Sequence, residues 1–159
     1  MNYLIIGGNS DIAKDVTTRL LDNGHHVHCL IRNTEHEEAL TSRGITVSIG
    51  DATSEEDMKQ CIADAKEHGD INGLLHCVGS IVIRPPHALN TDACEVVITT
   101  NLTSAFLALS IAGKAMLRPG HGRMVFSPSV AGSVGFVNQE AITATKARIE
   151  SIVRSSAAT

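Results

Sequence analysis

The run Tyr3-Leu4-Ile5-Ile6 passes without a break into Gly7-Gly8-Asn9-Ser10-Asp11-Ile12-Ala13. Helical spacing starts at once, with Ile12, Val16, Leu20 and Leu21. An apolar strand, a glycine turn and a helix in immediate succession constrain the fold more than any other feature. Glycine lets the backbone turn sharply and approach a ligand. The start of a helix presents unpaired N–H groups and the positive end of its dipole. The turn is therefore a candidate anion cradle. Its pattern is a variant of G-x3-G-x-G in which Asp11 stands at the middle glycine and Ala13 at the last. A carboxylate beside a phosphate is an electrostatic cost, so Asp11 is expected to point away, capping the helix or bonding the neighbouring backbone. Alanine is a mild change where only a small residue is needed for helix–strand packing.

The rest of the chain repeats the alternation. Asn23-Gly24 closes the first helix with a residue suited to a left-handed cap. Val27–Ile31 reads as a second strand, Glu35–Ser42 as a short helix and Thr46–Ile49 as a third strand. Ser54 caps a helix whose first turn, Glu55-Glu56-Asp57, suits the helix dipole. Leu74–Val78 reads as a fourth strand, and Pro85-Pro86 as a loop. Asp92 and Glu95 resemble a capping box opening a long helix to about Met116, which Arg118-Pro119-Gly120 ends. Met124–Ser127 reads as a fifth strand and Glu140–Ala157 as a last helix. Apolar strands alternating with helices predict an α/β fold: a doubly wound, Rossmann-type parallel sheet with helices on both faces. With 159 residues, no internal repeat and no linker, a single domain is expected.

Composition narrows the partners. A formal net charge of −4 gives no basic footprint for nucleic acid or an anionic membrane. No Trp, one Tyr and three Phe argue against stacking platforms for single strands. No apolar run is expected to reach the roughly 18 residues of a membrane span. The start Met1-Asn2-Tyr3 has no basic n-region, so no signal peptide is expected, and the protein is placed in the cytoplasm. Cys29, Cys61, Cys77 and Cys94 form no C-x-x-C pair and read as small buried hydrophobes in a reducing compartment. His25, His26, His28 and His36 cluster in sequence but lack the partners of a metal site. No metal is expected, and they read as solvated histidines around a turn.

Arg32 ends the second strand 25 residues after Gly7, near where dinucleotide folds read the adenosine ribose. An acid there accepts from a 2′-hydroxyl. Arg32 instead offers a planar cation to a 2′-phosphate, with Asn33 beside it, and no acid lies in His26–Ile31. This favours NADP(H) over NAD(H). The competing reading is a solvated arginine at a strand end.

Several motifs in order make the chain resemble the short-chain dehydrogenase/reductase family from Leu4 to its last residues. They are the Gly7–Ala13 turn, Gly50-Asp51-Ala52 after the third strand, and His76-Cys77-Val78-Gly79 where the family usually has N-N-A-G. Thr100-Asn101-Leu102-Thr103 and the segment Met124–Gly132 around Ser129 follow. The resemblance implies that Gly7, Asn9, Ser10, Asp11 and Ile12 line a pyrophosphate and its ribose, and that Arg32 and Asn33 meet the adenosine phosphate. It also implies that Asp51 and Ala52 contact adenine and that Cys77, Val78 and Gly79 pass under the adenosine ribose. Asn101, Ser129 and Lys146 would form the catalytic group, Lys146 also holding the nicotinamide ribose. The implied reaction is hydride transfer between a nicotinamide and a small-molecule carbonyl or alcohol.

One departure touches the chemistry itself. The family places a Tyr thirteen residues after the Ser and a Lys four residues after the Tyr, on one helix face. Here Lys146 is present, but Ile142 occupies the Tyr position and has no proton to give. Thr143 and Thr145 are the nearest hydroxyls, far weaker acids than a phenol. The chain also stops where the family continues into two more strands and a substrate-covering segment. Five strands in the order 3-2-1-4-5 are expected, the strand of Phe126 lying at an edge. An exposed apolar edge invites pairing, so a homo-oligomer or a longer parent chain is expected, with the helices from Asp92 and Glu140 resembling the family's dimer-forming pair. Three readings stay open: an oxidoreductase with an altered centre, a non-catalytic dinucleotide-binding module, and a truncated remnant.

Overall fold

Alternation along each strand decides which side of the sheet each residue serves. In the computed structural model, which describes residues 1–158, five strands form one sheet. They are β1 (Asn2–Ile6), β2 (His26–Ile31), β3 (Thr46–Ile49), β4 (Ile71–His76) and β5 (Arg123–Phe126), in the order β3-β2-β1-β4-β5. β1 pairs in parallel with β2 and β4, and β2 with β3. The doubly wound architecture and its strand order are those the sequence predicts. The chain's contacts group into two units: Met1–Cys77 with Leu107–Val125, and Val78–Phe106 with Phe126–Thr159.

In the first unit, α1 (Asp11–Asp22), α2 (Glu37–Thr41) and α3 (Glu55–Lys66) connect the strands. Ser54 accepts from the Asp57 N–H and caps α3 as expected, and Gly24 adopts φ +71° after α1. One side of the sheet is apolar: Ile5, Val27, Cys29 and Ile31 pack with Ala13, Leu40 and Ile45. The other side carries a buried polar chain that corrects the picture of solvated histidines. His28 is buried, with Nδ1 2.8 Å from Thr46 Oγ1 and Nε2 2.8 Å from Ser48 Oγ. The Ser48 hydroxyl donates to Asp64 at 2.6 Å. Its single proton is then spent, so His28 must carry its proton on Nε2 and accept from Thr46 on Nδ1. Burial pushes the His28 pKa down to about 4, which keeps it neutral at physiological pH. His26 is half-buried and stacks on His68 with ring centroids 3.9 Å apart. Cys29 and Cys61 are buried, and burial pushes both thiols up to about 12; Cys77 and Cys94 are half-buried, and none of the four is in a disulfide.

Several boundaries shift: β5 runs over Arg123–Phe126 rather than Met124–Ser127, and α2 is shortened to Glu37–Thr41 behind a 3-10 turn. β4 begins at Ile71 rather than Leu74 and ends at His76, so Cys77 and Val78 lie beyond the strand. The cause is Gly73, where an added Cβ would lie 2.7 Å from Tyr3 Cδ1: the tyrosine ring fills the space of the missing side chain and the pairing runs on to Ile71. The cap expected at Asp92 belongs to Asn90, whose side chain accepts from the Ala93 N–H at 2.9 Å. Asn90 precedes the first helical residue, Thr91, and is the position from which a short side chain reaches back to the first turn.

The second unit holds α4 (Thr91–Ile98), a π-helical turn over Thr99–Thr103, α6 (Ala131–Val134) and α7 (Glu140–Ser156). With α5 (Ser104–Leu117), α4 and the π turn form a helical run, Thr91–Leu117, of 27 residues. By length and composition this run suffices to cross a membrane, against the expectation from the sequence, and a third of its most apolar window is buried inside the protein. α7 buries Ile142, Thr145, Lys146 and Ile149, a stripe at helical spacing.

Candidate active site

The first unit carries the glycine turn. The N–H groups of Gly7 and Gly8 both donate to the Leu30 carbonyl at 3.0 Å, which welds the turn to the end of β2. Gly7 has φ +86°, a conformation that side chains disfavour. At Gly8 an added Cβ would lie 2.6 Å from Cys29 Cβ, so the backbone presses directly onto β2. The sharp turn brings the first turn of α1 to the strand ends, with Ser10 capping it by accepting from the Ala13 N–H. The first-turn amides of Asp11 and Ile12 have no partner within the helix. The Asp11 side chain is fully exposed and pairs with Lys14 at 3.1 Å, so its carboxylate points away from the turn. Ser10, not Asp11, is the cap.

At the end of β2, Arg32 and Asn33 are exposed. Asp51, after β3, accepts from the Thr53 N–H and hydroxyl, both at 2.8 Å. The Thr53 backbone bond, then its hydroxyl, hold the carboxyl below its ordinary range, and the Arg32 charge adds to this. Ala52 beside it is buried. The Cys77 N–H donates to the Ile6 carbonyl at 2.8 Å, so the chain beyond β4 starts from a fixed point. The first unit thus places a glycine turn with open amides, an exposed cation and a hydrogen-bonded carboxylate after its first three strands.

The second unit brings Gly79, Asn101 and Lys146 together with Ser80 and Ser127, while the contacts of Ser129 are with the start of α6. Asn101 is fully buried in the π turn. Its Nδ2 donates to the Val97 carbonyl at 2.9 Å and to Ser80, and its Oδ1 accepts from the Ser80 N–H at 3.2 Å. A π turn rotates one side chain out of helical register, and here that side chain pins the segment after Gly79. Lys146 is buried and its Nζ donates to the Ser127 carbonyl at 2.9 Å. An added Cβ on Gly79 would lie 3.0 Å from Asn101 Oδ1 and 3.3 Å from Lys146 Nζ, so these three groups border one space. Ser129 Oγ accepts from the Ala131 N–H at 3.2 Å and starts α6.

Ile142 lies on the same buried stripe as Lys146. The Thr145 hydroxyl donates to the Ile142 carbonyl at 2.9 Å and is spent there. The Thr143 hydroxyl is buried without a hydrogen-bond partner, on a neighbouring position of the helix. Neither replaces a phenol. Ser80 and Asn138 were not visible as site residues. Ser80 had only its place after Gly79 to mark it, and Asn138, at φ +62°, is a residue type that tolerates the left-handed region.

The family model for short chain dehydrogenases matches residues 2–159. The chain belongs to the short-chain dehydrogenase/reductase family. It is 30% identical over 155 residues to the 3-oxoacyl-[acyl-carrier-protein] reductase MabA of Mycobacterium tuberculosis, covering 97% of this chain and 61% of that protein. Among solved structures, NAD+-bound xylitol dehydrogenase superposes with a TM-score of 0.90 at 26% identity, over 97% of this chain and 62% of the other. ElxO with NADP bound superposes at 0.88 and 24% identity, over 96% and 65%, a likeness of fold. The chain spans about three-fifths of the length of the curated relatives it matches.

Proposed function

We propose that this chain binds NADP(H) in preference to NAD(H) and transfers hydride between the nicotinamide and a small-molecule carbonyl compound or alcohol, slowed by the loss of the phenol at position 142. The Gly7–Gly8 turn carries the reading, because it holds the unpaired amides of α1 against the end of β2. Gly7, Asn9, Ser10 and Ile12 serve the pyrophosphate, Arg32 and Asn33 the ribose phosphate, and Asp51 and Ala52 the adenine. In the second unit Lys146 and Gly79 border the space suited to the nicotinamide ribose. When bound, the dinucleotide supplies or takes the hydride. Lys146 holds the ribose, and Ser129 orients the substrate oxygen. With Ile142 in place, the proton for that oxygen comes from water. We further propose that copies of the chain associate, covering the β5 edge and the exposed apolar residues of α4 and α5.

The test is fluorescence titration with NADPH and NADH. Micromolar NADPH binding is expected, and Arg32→Ala should weaken NADPH about 10- to 100-fold, as expected for a lost charge-assisted contact, while changing NADH little. Equal loss for both cofactors would show that Arg32 does not read the phosphate. Absence of binding for both defeats the whole reading, and binding with no turnover across a broad panel of carbonyl compounds removes the catalytic half.

A further inference from the structure

The buried polar chain of the first unit runs further than His28. From Asp64 on α3 it passes through Ser48 to His28 and on to Thr46, whose Oγ1 also lies 3.4 Å from His26 Nε2. His26 Nδ1 lies 3.0 Å from Asn2 Oδ1. Asn2 Nδ2 donates to the Ala65 carbonyl at 2.8 Å and to the Gly69 carbonyl at 2.9 Å. Ala65 follows Asp64, so the chain returns to the last turn of the helix it left. Side-chain hydrogen bonds thus tie β1, β2, β3 and α3 to one another in a single circuit.

The circuit accommodates a neutral His28 and opposes a charged one. His28 exposes only 3% of its surface, and a cation there would lose its water. Asp64 reaches the ring through Ser48 rather than by direct contact. The titratable groups around the ring are Asp64 and Cys61 from α3, His68 just beyond that helix, and His26 on the same strand. β1 and β3 join through Asn2, Thr46 and Ser48, which do not titrate. Burial outweighs the pull of Asp64, and His26 and His68 act in the same direction as burial. The Cys61 thiol beside Ser48 is kept protonated by its own burial and adds no charge. α3 has a second hold at its other end, where Asp57 Oδ2 accepts from the Asp51 N–H at 2.7 Å. Whatever frees α3 therefore also frees the loop that carries Asp51.

We propose that this circuit is an acid-sensitive latch: a proton taken up by His28 opens it, and β3, α3 and the loop bearing Asp51 loosen from β2 together. The device is independent of the proposed function, since no dinucleotide enters it. In the folded chain His28 stays neutral down to about pH 4, whereas a free histidine titrates at 6.5. The open form therefore binds the extra proton first. The hold of the latch is complete above about pH 6.5 and is lost as the pH falls toward 4. Amide hydrogen exchange at pH 7 and pH 5, corrected for the intrinsic exchange rate, tests this. The opening constant should rise about 20-fold at the amides of α3 and at the Gly50 N–H, which donates to the Ile31 carbonyl at 2.9 Å. The amides of β4 should not follow. His28→Asn, which takes up no proton, should abolish the rise whatever it costs at pH 7. Should that variant fail to fold, carbon NMR of the His28 ring in the unaltered protein gives a second reading, and the ring should still be neutral at pH 5.5. An opening constant equal at the two pH values overturns the proposal. So does a rise that survives His28→Asn, a rise shared equally by β4, or a ring that titrates near pH 6.5.

Discussion

The glycine turn and the lysine group are built in opposite ways. The turn is local: Gly7 to Ala13 are consecutive, and the Gly7 and Gly8 N–H groups tie them to the Leu30 carbonyl. Every group that matters there is backbone or one cap. The lysine group draws Gly79, Asn101, Ser127 and Lys146 from four separated stretches and holds them with side-chain bonds to backbone. A local device tolerates side-chain change as long as the backbone path survives, which is why Asp11 can stand where a glycine is usual. An assembled device depends on each member's chemistry, and Ile142, on the buried stripe of α7 with Lys146, has no proton to give.

The largest expected effect tests the assembled side. Ile142→Tyr restores a phenol four residues before Lys146 and should raise carbonyl reduction about 10²- to 10⁴-fold, the usual contribution of a positioned general acid. Steady-state NADPH oxidation reads it. An unchanged rate would mean that the lysine group lacks more than its acid. The next effect tests the local side. Gly8→Ala should cost about 1–3 kcal/mol of stability, because the added methyl meets Cys29 at 2.6 Å and the turn is tied to β2. Urea unfolding measures this, and a loss under about 0.5 kcal/mol would show a turn freer than the bond to Leu30 implies. The smallest effect concerns Asp11. Its carboxylate is fully exposed and its pair with Lys14 is a surface ion pair, so Asp11→Asn should change stability by less than about 0.5 kcal/mol. Dinucleotide affinity should stay within about twofold. A tenfold gain would place the carboxylate against the phosphates and break the contrast drawn between the two regions.

The legible parts follow the same division. The strand order, the cap at Ser54 and the left-handed Gly24 all follow from short-range pattern and turn chemistry. The histidines did not. His28 alternates onto a sheet face, but which partners wait there depends on β3 and α3 arriving with Thr46, Ser48 and Asp64. The start of β4 was misplaced because Gly73 weakens a strand pattern in isolation, and only the Tyr3 ring across the sheet restores it.

By itself the sequence determined the alternation of strands and helices, the glycine turn, the cation at the end of β2 and the absence of a phenol at position 142. These are properties of neighbouring residues, and the periodicity of backbone hydrogen bonding writes them into the chain. Only the tertiary structure decided that Asp11 faces water, that a π turn aims Asn101 at Ser80, and that the Arg84 N–H of one loop meets the Asn138 carbonyl of another. Those outcomes rest on contacts between residues far apart in sequence, and such contacts exist only once the chain has paid the entropy of bringing them together.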